Sequence, residues 1–133
     1  MSIGPVSGGG IAISIPPGKV VFWSALVQSS ANQFIQLKNS QSSSVFSVQG
    51  ASSRGGTPTQ IGSGFFQTDA VGKYTIWIGT NGGQSWSQVL WAEDVITRGS
   101  SVFFGKYVFA SEDSTDYDYN DSFIQLQWFE NGG

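Results

Sequence analysis

Ten consecutive residues near the C-terminus concentrate oxygen ligands. The segment 112–121 holds five of the nine acidic side chains of the chain, and no Lys or Arg follows Lys106. Two carboxylates about 4 Å apart repel by roughly 4 kcal/mol at an effective dielectric constant near 20, so an ordered cluster needs cations. Calcium suits this segment because it takes carboxylate, amide and main-chain oxygens as ligands. Zinc and copper are disfavoured because the chain contains no His and no Cys.

The spacing of Asp116, Asp118 and Asn120 is that of the first ligands of an EF-hand loop. An EF-hand loop that begins at Asp116 requires Gly and then Glu at two later positions, where this chain has Asp121 and Gln127. The flanking segments also lack a helical pattern. We therefore predict a calcium-binding connection between two strands. The alternative interpretation is an acidic turn exposed to solvent.

Short apolar runs between Gly-rich turns indicate the elements that position this segment. The predicted strands are 11–15, 19–27, 34–37, 45–48, 74–78, 85–91, 102–110 and 122–129, with one more short strand inside the loop 50–64. The sequence predicts one all-β domain over residues 1–133, an antiparallel β-sandwich of about eight to nine short strands. Residues 1–10 are predicted to be a flexible N-terminal segment.

Two finer expectations concern the middle of the chain. Asn81-Gly82-Gly83 predicts a hairpin turn between the strands 74–78 and 85–91. Most of the aromatic residues are expected in the core, and Trp86 is the one expected to be exposed, where it would offer a stacking surface to a sugar ring.

Composition excludes several classes of partner. The chain has 133 residues, a net charge of −3 and 11% charged residues, so nucleic acid is not a predicted partner. Membrane insertion is not expected either, because no run of 18 apolar residues occurs. Residues 1–10 lack the basic and apolar regions of a signal peptide.

The segment 112–121 resembles the calcium-binding loop of the LecB-like lectins, small bacterial lectins that bind fucose and mannose through two calcium ions. Their loop reads Glu-Asp-Gly-x-Asp-x-Asp-Tyr-Asn-Asp, and this chain differs from it by Ser114 in place of Gly. The segment 28–31, which follows an apolar strand, is similar to the first ligand loop of that family. Looser similarity around 72–74 and 81–82 extends the resemblance over most of the chain.

This resemblance implies a site that contains two calcium ions. The first ion would be held by Glu112, Asp116, Asp118 and Asp121, and the second by Asp118, Asn120, Asp121 and the main-chain carbonyl of Gln28. Hydroxyls of the sugar would bind both ions directly. The sugar-binding residues that the resemblance implies are Ser29, Ser30, Ala31, Asp113, Asp116, Asp118, Asn120 and Asp121. The implied partners are fucosylated or mannosylated glycans, and Ser29-Ser30 resembles the loop of the members that prefer fucose.

The C-terminus departs from the family pattern. Family chains generally end at Trp-Pro-x-Gly, and the terminal carboxylate ligates the second calcium ion of the partner subunit. Here Trp128 is followed by five residues without Pro, and the chain is two residues longer. The resemblance implies a homodimer or higher homo-oligomer. It leaves open whether the terminal carboxylate, Asn131 or Glu130 supplies the ligand to the partner.

Three functions remain to be compared. The first is a calcium-dependent lectin, and the alternative is a calcium-stabilised structural or adhesin module that does not coordinate sugar. An enzyme is not predicted and no catalytic residue is assigned, because nucleophile and base pairs that need His or Cys are missing and the acidic residues are committed to metal. A glycan-binding role predicts an extracellular or cell-surface location, and the lack of a recognisable signal peptide leaves cytoplasmic accumulation open.

Overall fold

Strands make up most of the chain. The computed structural model describes residues 3–52, 57–113 and 118–131, which contain eleven strands and one short 3-10 turn at Asn81–Gly83. The strands are β1 (Ile3–Pro5), β2 (Ile11–Ser14), β3 (Val20–Val27), β4 (Gln33–Asn39), β5 (Ser44–Gly50), β6 (Thr59–Gln67), β7 (Lys73–Thr80), β8 (Ser85–Trp86), β9 (Gln88–Arg98), β10 (Ser101–Glu112) and β11 (Ser122–Phe129). No helix among these residues is long and apolar enough to cross a membrane.

The strands form two antiparallel sheets, which confirms the predicted β-sandwich. One sheet has the order β1-β2-β7-β4-β5, with β8 paired to β7, and the other has the order β6-β3-β11-β10-β9. Alternate residues of β2, β3, β4, β7, β10 and β11 face the other sheet and form a single core. Trp23 of one sheet stacks on Phe46 of the other with ring centroids 3.9 Å apart. The buried hydroxyl of Tyr107 donates to the carbonyl of Ser14, 2.7 Å away, and so links the sheets a second time.

The N-terminal segment contains a strand that the sequence analysis does not predict. Strand β1 pairs with β2, and Ile3 lies opposite Ile13, while the flexibility expected of residues 1–10 stays a prediction. The turn between them is closed by a hydrogen bond of 2.8 Å from the amide of Val6 to the carbonyl of Gly10. Gly8 and Gly9 have φ values of 96° and 117°, so the Gly run supplies a backbone conformation that the turn requires.

The predicted hairpin after Asn81 is only two residues deep. Strand β8 pairs with β7 at Ser85 and Trp86, and the chain then crosses to the other sheet as β9. Strand β9 pairs along its whole length with β10 and lies at the sheet edge, so its apolar residues remain largely exposed. The sequence indicated only the first part of this strand, because the exposed remainder does not alternate.

The register of the five-stranded sheet brings two distant loops together. Ser122, the first residue of β11, lies opposite Val27 on one side and Ser111 on the other. The loop after β3 and the acidic connection between β10 and β11 therefore leave the sheet at the same end. This end of the sandwich carries the candidate site.

Candidate functional site

Main-chain hydrogen bonds join the two loops at the strand ends. The amide of Asp121 donates to the carbonyl of Ser111 at 3.1 Å, which closes the acidic connection at its base. The amide of Gln28 donates to the carbonyl of Asp121 at 3.0 Å, which fixes the neighbouring loop against it. The geometry of the site is therefore set by the backbone of the sheet.

Three carboxylates meet at this end of the sandwich. Glu112, Asp113 and Asp121 each present an oxygen within 4.8 Å of the other two. Glu112 is buried, with 1% of its surface exposed, and its Oε2 accepts the amide of Asp118 at 3.1 Å. Oδ2 of Asp121 accepts the amide of Asp113 at 2.8 Å. Main-chain donors thus orient two of the three carboxylates.

The electrostatics of this group fit a cation. Burial raises the pKa of Asp121 to about 7, and its hydrogen bond with Glu112 and the negative charges of Asp113 and Glu112 act in the same direction. Without a counter-charge the group therefore retains a proton near neutral pH. Oε1 of Gln28 is also buried and has no hydrogen-bond donor among the described residues. Carboxylate and amide oxygens of this kind are the ligands that calcium takes.

The second loop is held against the acidic one by Ser29. Its hydroxyl donates to Oδ2 of Asp113 at 3.1 Å and accepts the amide of Ala31 at 3.0 Å. Its carbonyl accepts the amide of Ser52 at 2.8 Å. These bonds bring the predicted sugar-binding residues Ser29, Ala31 and Asp113 into one cluster.

The structure adds Gln33, which the sequence reasoning missed. This side chain is fully buried, and its Nε2 donates to Oδ2 of Asp113 at 2.8 Å and to the carbonyl of Ala31 at 3.2 Å. Its Oε1 accepts the hydroxyl of Ser122 at 2.9 Å. The available signal was its position: Gln33 continues the inward alternation of Ile35 and Leu37, so a polar side chain was placed in the core.

The remaining predicted residues differ in what the structure says of them. Asp118 and Asn120 lie in the acidic connection and are exposed, and the carboxylate of Asp118 is not one of the three that cluster within the described residues. Ser30 is exposed in the neighbouring loop. Asp116 lies outside the described residues. Trp86 is exposed by 39%, and its ring lies 5.2 Å from that of Trp77, centroid to centroid.

The family described as fucose-binding lectin II (PA-IIL) matches residues 13–130, which include both loops and the strands between them. The chain belongs to this family. Proteins of the PA-IIL family are in general calcium-dependent. The carboxylates of Glu112, Asp113 and Asp121 form a group that could hold a metal ion. Lectins bind carbohydrate without converting it, which agrees with the absence of a predicted catalytic residue.

Solved lectin structures share the fold. The lectin CV2L of Chromobacterium violaceum, solved with alpha-methyl-fucoside, superposes with a TM-score of 0.76 at 23% identity, covering 92% of this chain and 96% of that one. The high-affinity mannose-binding lectin of Ralstonia solanacearum gives 0.77 at 20% identity, covering 96% and 100%. The C-terminal domain of the BC2L-C lectin from Burkholderia cenocepacia gives 0.73 at 21% identity, covering 92% and 96%. No curated protein sequence gives a significant match.

Proposed function

We propose that this protein is a calcium-dependent lectin that binds fucose or mannose residues of glycans through two calcium ions at the end of the sandwich where the two loops meet. The observation that carries the proposal is the joining of both loops around one carboxylate. Asp113 accepts hydrogen bonds from Ser29 of one loop and from Gln33, the first residue of β4, and it lies in the carboxylate cluster of the other loop. Membership of the fucose-binding lectin family supports the same function.

The chemistry of the site suits a sugar diol. Calcium, when bound, supplies a hard cation on which water ligands can be exchanged, and two vicinal hydroxyls of a sugar are an uncharged pair of oxygen ligands that can replace those waters. The protein holds the groups that meet the sugar in a fixed orientation. Gln33 and Ser29 fix the orientation of the Asp113 carboxylate, and a charged acceptor makes a stronger hydrogen bond to a sugar hydroxyl than a neutral one. Specificity then depends on the loop from Gln28 to Ala31.

The oligomer and the location are part of the proposal. A homodimer is supported by the outer face of the five-stranded sheet, where Phe65 and Phe129 are exposed by 71% and 70%. A cavity of about 590 Å³ on this face is lined by these two rings together with Phe22 and Phe104. Exposed apolar surface of this kind marks an interaction site. We propose a location outside the cell or at a cell surface, because the proposed partners are glycans.

Calorimetry with and without calcium tests the proposal. Methyl fucoside and methyl mannoside should each be titrated in calcium buffer and in EDTA, and we expect heat of binding only in calcium. The variant Asp118→Ala should lose both ions and all sugar binding, since Asp118 is the proposed ligand to both, while its β-sheet circular dichroism is unchanged. Asp94→Ala is the matched control, because Asp94 is an exposed acidic residue on β9.

The same experiment separates the structural alternative. A protein that takes up calcium and gains thermal stability but binds neither sugar nor any glycan on an array would be a calcium-stabilised module. Sugar binding at full strength in EDTA, or in the Asp118→Ala variant, would refute the proposed ligand role.

A further inference from the structure

A second cavity lies on the outer face of the six-stranded sheet, far from the carboxylate cluster. It has a volume of about 350 Å³ and sits where β2 and β4 end and β7 begins. Strand β4 runs from Gln33 at the candidate site to Asn39 at this cavity, a span of six residues or roughly 20 Å. Ligands at the two places would not touch.

Positive charge is concentrated in this cavity. Among the described residues that line it are Lys38 and Lys73, and none is Asp or Glu. Lys38 lies opposite Thr75, and Lys73 is two positions before Thr75 on the same face of β7, so the Cα atoms of the two lysines are diagonal neighbours about 7 to 8 Å apart. Nζ of Lys73 donates to the hydroxyl of Ser14 at 3.0 Å, which leaves two of its three protons for a ligand, and neither lysine forms a salt bridge within the described part of the chain. In a chain of net charge −3, this local excess of cations favours an anion.

Polar groups beside the lysines are arranged as donors. Oδ1 of Asn39 accepts the amides of Gln41 and Ser43, both at 3.0 Å, so its side-chain NH2 points away from the turn. The hydroxyl of Thr75 accepts the indole NH of Trp77 at 2.9 Å and retains its own proton for another acceptor. Both residues line the cavity. A ligand rich in oxygen acceptors therefore meets several donors here.

An aromatic wall completes the cavity. Trp77 lines it, and Nζ of Lys38 lies 5.1 Å from the centre of the Trp77 ring. The indole is fixed by its hydrogen bond to Thr75 and by Gly10, where any side chain would overlap the ring. A fixed ring beside hydroxyls and amides suits the CH surface of a sugar better than it suits a simple inorganic ion.

We propose that this cavity binds an anionic monosaccharide unit, a uronate or a sulfated hexose, without calcium. Lys38 and Lys73 bind the carboxylate or sulfate, while Asn39 and Thr75 donate to ring and hydroxyl oxygens and Trp77 contacts the apolar edge. The volume lies within the range of about 300 to 1,000 Å³ that small-molecule sites occupy. The site is independent of the fucose and mannose site proposed above, so either can fail without the other.

The test uses the full chain in EDTA, where the proposed calcium site holds no metal and is not expected to bind sugar. Methyl glucuronide and methyl glucoside 6-sulfate are titrated while the indole NH signal of Trp77, assigned with a Trp77→Phe variant, is followed by NMR. We expect saturable shifts of that signal with at least one anionic sugar, weakening at higher salt, and none with neutral methyl glucoside. Lys38→Gln and Lys73→Gln should each weaken the affinity by about tenfold.

Lys106→Gln is the matched control, since Lys106 is a cation on the other sheet, opposite Asp94, and the variant has the same net charge. It should bind as the unmodified protein does. The proposal is overturned if neither anionic sugar shifts the Trp77 signal, or if Lys38→Gln and Lys73→Gln bind as tightly as Lys106→Gln. An equal response to inorganic sulfate at the same concentration would also overturn it, because the cavity would then recognise only the anion.

Discussion

At the scale of single residues, Asp113 connects the parts of the site. It belongs to the carboxylate cluster, yet its Oδ2 accepts hydrogen bonds from Ser29 and from the buried Gln33. A change in the loop that follows β3 is therefore transmitted to the acidic cluster. In the proposed function the two loops therefore form one recognition unit, and metal binding and sugar binding are not divided between them.

The first residue-scale prediction concerns Gln33→Leu. The leucine has similar volume, but it removes the acceptor of the Ser122 hydroxyl and one of the two side-chain donors to the Asp113 carboxylate, at a cost of about 1 to 3 kcal/mol in the free energy of unfolding. Sugar affinity should fall as well, because Asp113 loses its orientation. Urea unfolding and calorimetry measure the two effects. Gln36→Leu, on the outer face of the same strand, is the control and should change both much less.

The second concerns pH in the protein without calcium. The pKa of Asp121 is raised from 3.8 to about 7 by burial, so the folded state binds this proton more tightly than the unfolded chain. The stabilisation by this proton is fully present below pH 3.8, the pKa in the unfolded chain, and is lost as the pH rises to about 7, the pKa in the folded protein. The melting temperature in EDTA should therefore fall between about pH 4 and about pH 7.

Calcium should reverse this trend, because a cation binds deprotonated carboxylates and its affinity rises with pH. Thermal scans at several pH values in EDTA and in calcium provide the measurement. Asp121→Asn removes the titrating group and should flatten the EDTA profile. An identical slope in that variant would show that another group is responsible.

The sequence alone anticipated the chemistry of these residues better than their partners. Five carboxylates in ten positions already demanded a cation, and the close approach of Glu112, Asp113 and Asp121 agrees with that demand. Gln33 was overlooked because a lone polar residue at an inward position has no local pattern. Its two side-chain partners, Asp113 and Ser122, are 80 and 89 positions away in the chain.

At the scale of elements, β10 and β11 are packed closely at the end of the sheet opposite the site, and this packing fixes the two strands that lead to the acidic connection. Gly105 lies opposite Trp128, and the indole ring occupies the space that a side chain at position 105 would take. The same Trp128 packs against Tyr107, with ring centroids 5.7 Å apart. These contacts fix the strands whose far ends carry the acidic connection.

Gly105→Ala tests this packing. The added methyl would lie 2.6 Å from Cε2 of Trp128, and overpacking of this kind costs about 1 to 3 kcal/mol. We expect a lower free energy of unfolding in urea at fixed calcium concentration. Gly4→Ala in β1 is the control, because its methyl meets no atom within 4 Å. Equal stability of the two variants would contradict the packing argument.

Prediction of elements succeeded where strands alternate and failed where they do not. Strands β3, β4, β7, β10 and β11 were recognisable because one face is buried. The second half of β9 was not, since Ala92 to Ile96 are exposed and follow no period of two. Strand β1 was not predicted because Gly8, Gly9 and Gly10 follow it, and such a run is typical of a flexible segment although here it forms a turn.

At the scale of the whole molecule, the outer face of the five-stranded sheet is too apolar for a surface that meets only water. Val20 and Ile96 are each exposed by 59%, in addition to the exposed Phe65 of β6 and Phe129 of β11. Covering this face with a second copy would bury the aromatic cavity and would bring the C-terminal residues of one subunit against the other.

Analytical ultracentrifugation tests this arrangement. We expect a dimer at micromolar concentration and a shift to monomer when Phe65→Glu and Phe129→Glu are combined, because two charges would be buried without partners. Val71→Glu, at an exposed apolar residue in the turn before β7, is the control and should remain dimeric. A monomeric unmodified protein, or an unchanged dimer in the double variant, would contradict a dimer through this face.

The joining of two loops from distant parts of the chain also has a consequence for biosynthesis. Ser29 and Asp113 are 84 positions apart, and Gln28 is fixed by Asp121. A growing polypeptide therefore cannot assemble the proposed site until Asp121 has emerged from the ribosome. Retention on a sugar resin would select molecules that contain both folded loops, and products truncated before Asp121 or misfolded copies would pass through.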